Sequence, residues 1–124
     1  MSTKDKLSVK ERYSLKDYIN YGNRFLKVME SRGVSSTVVC KKARVNSDVI
    51  SNLLNSNILP TRYILLRLCR VLQIEPEFFT LPERSLLELV YKTGKHYCFN
   101  YYADFEIIFG YNPQDYVYLY KIFS

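Results

Sequence analysis

The stretch that most restricts what this chain can fold into is "RGVSSTVVCKKARVNSDVISNLLNSN". It holds two helix-start signals, Ser35 and Asn46, because serine and asparagine side chains accept from the free N–H groups of a first helical turn. A short apolar stripe follows each: Val38, Val39 and Ala43 after the first, and Val49, Ile50 and Leu53 after the second. Apolar residues at this spacing share one helical face. The stretch therefore predicts two short helices separated by three or four residues. On the second of them the side chains left facing outward are Ser47, Asp48, Ser51 and Asn52, and none is basic.

The flanks extend the helical reading. Tyr21, Phe25, Val28 and Met29 recur at helical spacing and Gly33 is a stop signal, so a first helix runs to about Ser31. After Pro60, "TRYILLRLCRVLQI" predicts a fourth helix with Leu65, Leu68, Cys69 and Leu72 on one side. Pro76 opens a short fifth, and Pro82 opens a sixth that Gly94 closes. Residues 1–19 lack an apolar period and carry Lys4, Lys6, Lys10, Arg12 and Lys16, which reads as a mobile basic arm. The expected organisation is an arm over 1–19, a mainly α domain of five to six helices over 20–93, and a different kind of segment over 94–124.

That last segment is rich in strand formers. Twelve of residues 91–124 are Tyr or Phe, against seven in the preceding ninety. "KHYCFNYY", "DFEIIFG" and "DYVYLYKIF" are strand candidates, with "GYNPQD" as turn chemistry between the last two, so a small antiparallel β hairpin or sheet is expected. An isolated hairpin is marginally stable, so the segment must pack on the helices or on another chain.

Charge is uneven. Of a net charge of +6, residues 1–45 hold eleven Lys/Arg against four Asp/Glu, while residues 46–124 hold seven against eight. A basic front third points to a nucleic acid or an anionic surface. Three widely spaced cysteines, Cys40, Cys69 and Cys98, argue against a disulfide framework, and His96 alone leaves too few ligands for zinc. No apolar run reaches the roughly 18 residues of a spanning helix or resembles a signal-peptide core, so a soluble cytoplasmic protein without membrane association is expected. No nucleophile stands at a recognisable spacing from His96 and no glycine-rich phosphate loop occurs, so neither an enzyme nor a cofactor is expected.

Taken with its flanks, "RGVSSTVVCKKARVNSDVISNLLNSNILPTRYILLRLCRVLQIEPEFF" resembles the helix-turn-helix of the Cro and lambda-repressor-like family, the xenobiotic-response-element class, over residues 21–80. The matching positions are Gly33-Val34-Ser35, Val45 in the turn, Ile50 and Leu53, Asn55, Pro60, and Leu65, Leu68, Leu72 and Ile74. The resemblance implies a lambda-repressor-like helix-turn-helix fold in which Ser47, Asp48, Ser51 and Asn52 face the bases of the major groove. It further implies that Ser36, Lys41, Lys42, Arg44, Asn55 and Arg62 contact the DNA backbone. Asn52 can pair with adenine and Asp48 can accept from cytosine N4, while phosphate contacts from flanking cations supply the grip. Cys40 and Cys69 fall where the family has small alanines, as buried small hydrophobes.

Three positions depart from the family pattern. Arg44 stands where the turn often has glycine, at a cost on the order of 1 kcal/mol if it is left-handed. Ser36 replaces the usual Gln, and Leu54 replaces a common Glu, which suggests extra packing against later helices or a partner. The expected function is a sequence-specific transcriptional regulator that occupies an operator on double-stranded DNA as a homodimer formed through the aromatic segment. The alternatives are an antitoxin-like or partner-binding regulator with weak or no DNA binding, an aromatic segment that only covers the helical core, and base stacking on a single strand.

Overall fold

A computed structural model describes residues 19–93 and 101–116. Seven α-helices lie within them: α1 Tyr21–Arg32, α2 Ser36–Ala43, α3 Ser47–Ser56, α4 Arg62–Leu72, α5 Glu77–Thr80, α6 Glu83–Thr93 and α7 Tyr101–Phe109, followed by a 3-10 turn at Pro113–Tyr116. Helices this short are marginal in isolation, so their stability comes from the faces they bury. α1 is central, packing on α3, α4, α5 and α7, while α2 packs on α3 and α4, and α6 on α7.

The six helices expected over 20–93 are all present, with their starts where the capping residues put them. Asn20 Oδ1 accepts from Asn23 N at 2.9 Å, Ser35 Oγ from Val38 N at 3.2 Å and Asn46 Oδ1 from Asp48 N at 2.9 Å. Four helices stop in the same way. Gly33, Arg44, Asn57 and Gln73 all have positive φ, between 53° and 67°, and each is followed by Val34, Val45, Ile58 or Ile74. The following residue's N–H reaches back to the last helical turn: Val34 N to Met29 O, Val45 N to Cys40 O, and Ile74 N to Cys69 O. Three of these four residues are not glycine, so the chain stores left-handed strain at Arg44, Asn57 and Gln73.

The core joins Phe25, Val28, Met29, Ile50, Leu53, Leu65, Leu68, Leu72, Phe78, Phe79, Phe105 and Ile108, and Cys40 and Cys69 are buried within it. Burial pushes the Cys69 thiol up to about 12, with Glu77 and Glu75 adding to it, so this sulfur behaves as a small hydrophobe. Val38 corrects the sequence reading: expected to point inward, it is 39% exposed, because Val39, Cys40 and Ala43 carry the buried side of α2.

The larger correction concerns the aromatic segment. Residues 101–109, expected to contribute strands, form α7, and no strand occurs among the described residues. Tyr101, Asp104, Phe105 and Ile108 are its buried positions, spaced three and four apart as on one helical face. Phe105 lies tilted against Phe109 at 4.5 Å and meets Tyr111 edge-on at 5.2 Å, Phe78 meets Tyr101 at 5.3 Å, and Tyr91 Oη donates to Pro113 O at 2.7 Å. Tyr101 and Phe105 thus enter the core of the helical domain, with Tyr102, Phe109 and Tyr111 packed against it. Residues 1–18 of the arm expected over 1–19, together with Gly94, His96 and Cys98, lie outside the described residues, as do residues 117–123 of the strand expected over 115–123, whose first two, Asp115 and Tyr116, are in the 3-10 turn instead.

Three cations of α1 are spent inside the fold. Arg24 Nη1 donates to Phe78 O and Leu81 O at the end of α5, at 3.1 and 2.6 Å, with Phe109 against its guanidinium. Lys27 Nζ donates to Ile108 O in the last turn of α7 at 2.9 Å. Arg32 Nε donates to Leu72 O at the end of α4 at 2.9 Å, and its Nη2 meets Asp104 Oδ1 at 3.0 Å. A cation is favourable at a helix C-terminus, where carbonyls lack partners. Asp104 is buried, and its Oδ2 has no hydrogen-bond partner among the described residues. Burial raises its pKa, and the Arg32 hydrogen bond and charge only partly oppose this.

Candidate nucleic-acid interface

The site is built on α2, a three-residue turn and α3. The turn is held from three directions. Arg44 adopts the left-handed conformation at φ 57° and ψ 48°, Val45 turns partly into the core, and Asn46 caps α3. Arg67 of α4 completes it, its Nη2 donating to Arg44 O at 3.0 Å. The strain expected at Arg44 is thus present and is offset by a charge-assisted hydrogen bond to its carbonyl. At its far end α3 is fixed to α1: Asn57 Nδ2 donates to Ile19 O at 3.0 Å and Asn57 Oδ1 accepts from Gly22 N at 3.2 Å. Gly22 has no room for a side chain, since a Cβ there would lie 2.5 Å from Leu53 O.

α3 buries Ile50 and Leu53 and leaves Ser47, Asp48, Ser51, Asn52 and Asn55 exposed. Lys41, Lys42 and Arg44 are exposed at the end of α2 and in the turn, Arg62 is exposed at the start of α4, and Ser36 is half-buried. A groove of about 350 Å³ between α2 and α3 brings Ser36 together with Ser47, Ser51 and Asn55, with Cys40, Ile50 and Leu54 as its apolar lining. Asp48 and Asn52 do not line it and lie further around α3. Leu54 is half-buried and lines the groove beside α2, an earlier helix, rather than packing on the later helices expected to cover it. Asn55 Nδ2 donates to Ser51 Oγ at 3.2 Å, so these two side chains act as a linked pair.

The local electrostatics give several side chains a place of their own. Asp48 lies in the first turn of α3, where an acid favours the positive end of the helix, and Lys41 and Lys42 lie in the last turn of α2, where cations favour the negative end. Arg62 is placed against this trend. It stands in the first turn of α4, where no acid is present and Thr61 makes no side-chain cap. Exposed N–H groups with a guanidinium beside them form a setting suited to an anion.

Two contributors to the site escaped the sequence reading. The signal for Asn57 is asparagine before isoleucine at a helix end, which marks a left-handed cap. Arg67 gave no signal, because its partner is a backbone carbonyl 23 residues away. Compared with models of protein families, with curated proteins and with solved structures, the chain matches none.

Proposed function

We propose that the chain is a sequence-specific DNA-binding transcriptional regulator that acts in the cytoplasm by occupying an operator on double-stranded DNA. The observation that carries this reading is the α2–turn–α3 unit. Short polar side chains, Ser47, Asp48, Ser51 and Asn52, are exposed along one capped helix, while Lys41, Lys42 and Arg44 are exposed at the adjoining turn. Side chains of the first kind suit base edges and those of the second suit phosphates. No helix among the described residues is long and apolar enough to cross a membrane.

Selection from random duplex pools at two salt concentrations tests the reading. An enriched motif with steep salt dependence is expected, and its absence sinks the proposal. Within that assay Asp48→Ala should alter preference at one base position, whereas Lys41→Gln or Lys42→Gln should weaken all sequences alike. Uniformly tighter binding by Asp48→Ala would identify this acid as a repulsive surface charge only.

Dimerisation through the aromatic C-terminal part belongs to the same proposal. Its support is the outward side of that part, where Tyr116 is 48% exposed and Tyr102 half-buried, while Tyr101 and Phe105 face inward. Sedimentation of Tyr116→Glu against the unaltered chain checks it, and an unchanged dimer would place the interface elsewhere. A partner-binding regulator with weak or no DNA binding is the second reading, favoured by the exposed apolar side chains of Ile58, Tyr63 and Leu66.

A further inference from the structure

The geometry points to a second phosphate-gripping surface on the outward face of α4, formed by Tyr63, Arg67 and Arg70, which extends the proposed DNA contact beyond the helix-turn-helix. It rests on the DNA-binding reading and adds Tyr63 and Arg70 to it, with Arg67, which supports the turn, as the join. α4 buries Leu65, Leu68, Cys69 and Leu72. Positions 63, 66, 67 and 70 therefore form the opposite side of the helix. Tyr63 is 71% exposed, Leu66 is 40% exposed, and Arg70 is exposed.

Charge segregation is the first argument. α2 and α4 pack against each other, and between them they carry Lys41, Lys42, Arg62, Arg67 and Arg70 with no Asp or Glu. The acids nearest to them are Asp48 on α3 and Glu75 and Glu77 beyond the end of α4, while Glu83 and Glu88 lie on α6 and Asp104 and Glu106 on α7. Like charges gathered on two packed helices repel one another unless a polyanion neutralises them.

Preorganisation and continuity are the second. Arg67 holds Arg44 O with Nη2, which joins the α4 face directly to the turn of the candidate interface. Its guanidinium also sits 5.7 Å from the centre of the Tyr63 ring, and it has no acidic partner among the described residues. A guanidinium fixed by a carbonyl and an aromatic ring loses less freedom on meeting a phosphate, and the tyrosine hydroxyl supplies a further donor of the kind used on DNA backbones. From Tyr63 to Arg70 the helix rises roughly 10 Å, enough to reach two or three phosphates of one strand.

The test uses a labelled random-sequence duplex of 30 base pairs, with binding followed by fluorescence anisotropy across a salt series. Arg70→Gln is expected to reduce the slope of log K against log salt by about 0.9, the value for one lost phosphate contact, without changing the motif selected from random pools. Tyr63→Ala should lower affinity for every sequence alike. Both side chains are exposed, so melting curves should match the unaltered chain and separate binding from folding. If Lys41→Gln lowers the slope while Arg70→Gln leaves the slope and Tyr63→Ala leaves the affinity unchanged, the α4 surface is wrong and the helix-turn-helix reading stands. If the unaltered chain binds no duplex, both are overturned. Poly-L-glutamate is the second probe. Loss of its binding in Arg70→Gln with duplex binding intact would assign the face to an acidic protein and overturn the proposal.

Discussion

Gly22→Ala is a substitution in which helix propensity and packing pull in opposite directions. Gly22 lies in the first turn of α1, and alanine there should gain up to about 1 kcal/mol over glycine on propensity alone, less at a helix end. The added Cβ, however, would lie 2.5 Å from Leu53 O and 3.2 Å from Leu54 Cα, whereas ordinary contacts begin at 3.4 Å. The obstacle is the backbone of α3, so no rotamer change can relieve it. α1 and α3 must part by about 1 Å, which loosens the core they share and weakens the Gly22–Asn57 bond; overpacking of this kind costs about 1–3 kcal/mol. The net expectation is a loss of about 1–2 kcal/mol, or roughly 5–10 °C in melting temperature for a domain of this size. Asn23→Ala is the control, because that side chain is exposed and only propensity changes. Thermal and urea unfolding of the two variants decide the matter. If Gly22→Ala melts at or above the unaltered chain, the close approach of α1 to α3 is not what holds α3 in place.

Gln73→Gly should stabilise by about 0.5–1 kcal/mol in urea titration, since glycine relieves the left-handed φ of 56° and the gain exceeds the added freedom of the unfolded chain. Phe105→Ala should cost about 3–5 kcal/mol, as for a fully buried ring in a core, and a loss below 1 kcal/mol would deny α7 its place there. For Asp104 the folded pKa is raised, so the folded state takes up a proton more readily than the unfolded one. As pH falls from neutral towards the ordinary carboxyl value of 3.8, the unaltered chain should gain stability relative to Asp104→Asn, and level off below it. Urea unfolding of both chains at pH 7, 5.5 and 4 reads this difference, and a relative loss on acidification would refute the sign.

What the residues disclosed in advance follows a physical line. α1 to α6 were legible because each carries its own cap, stop or proline and a clean apolar stripe. α7 was not, for two reasons. Its Tyr, Phe and Ile residues carry strand propensity, which burial overrides. Its helical period is also broken in appearance by Asp104, a charged residue at a buried position. Exposure of Ser47, Asp48, Ser51 and Asn52 was legible from their spacing against Ile50 and Leu53. The charge reading of the first 45 residues overcounted instead. Arg24, Lys27 and Arg32 meet carbonyls 54, 81 and 40 residues away, and no local pattern announces partners at such separations.

Those three side chains also determine how the molecule comes apart. Each binds the closing carbonyls of a different helix, so when α1 detaches, the ends of α4, α5 and α7 lose their partners in the same event. Local fraying is therefore replaced by a shared opening. In hydrogen exchange, amides in the last turns of α4 and α7 should exchange together with those of α1, as one cooperative unit whose opening free energy approaches that of global unfolding. The exposed side chains of α3 are thereby carried on a body that is either whole or unfolded.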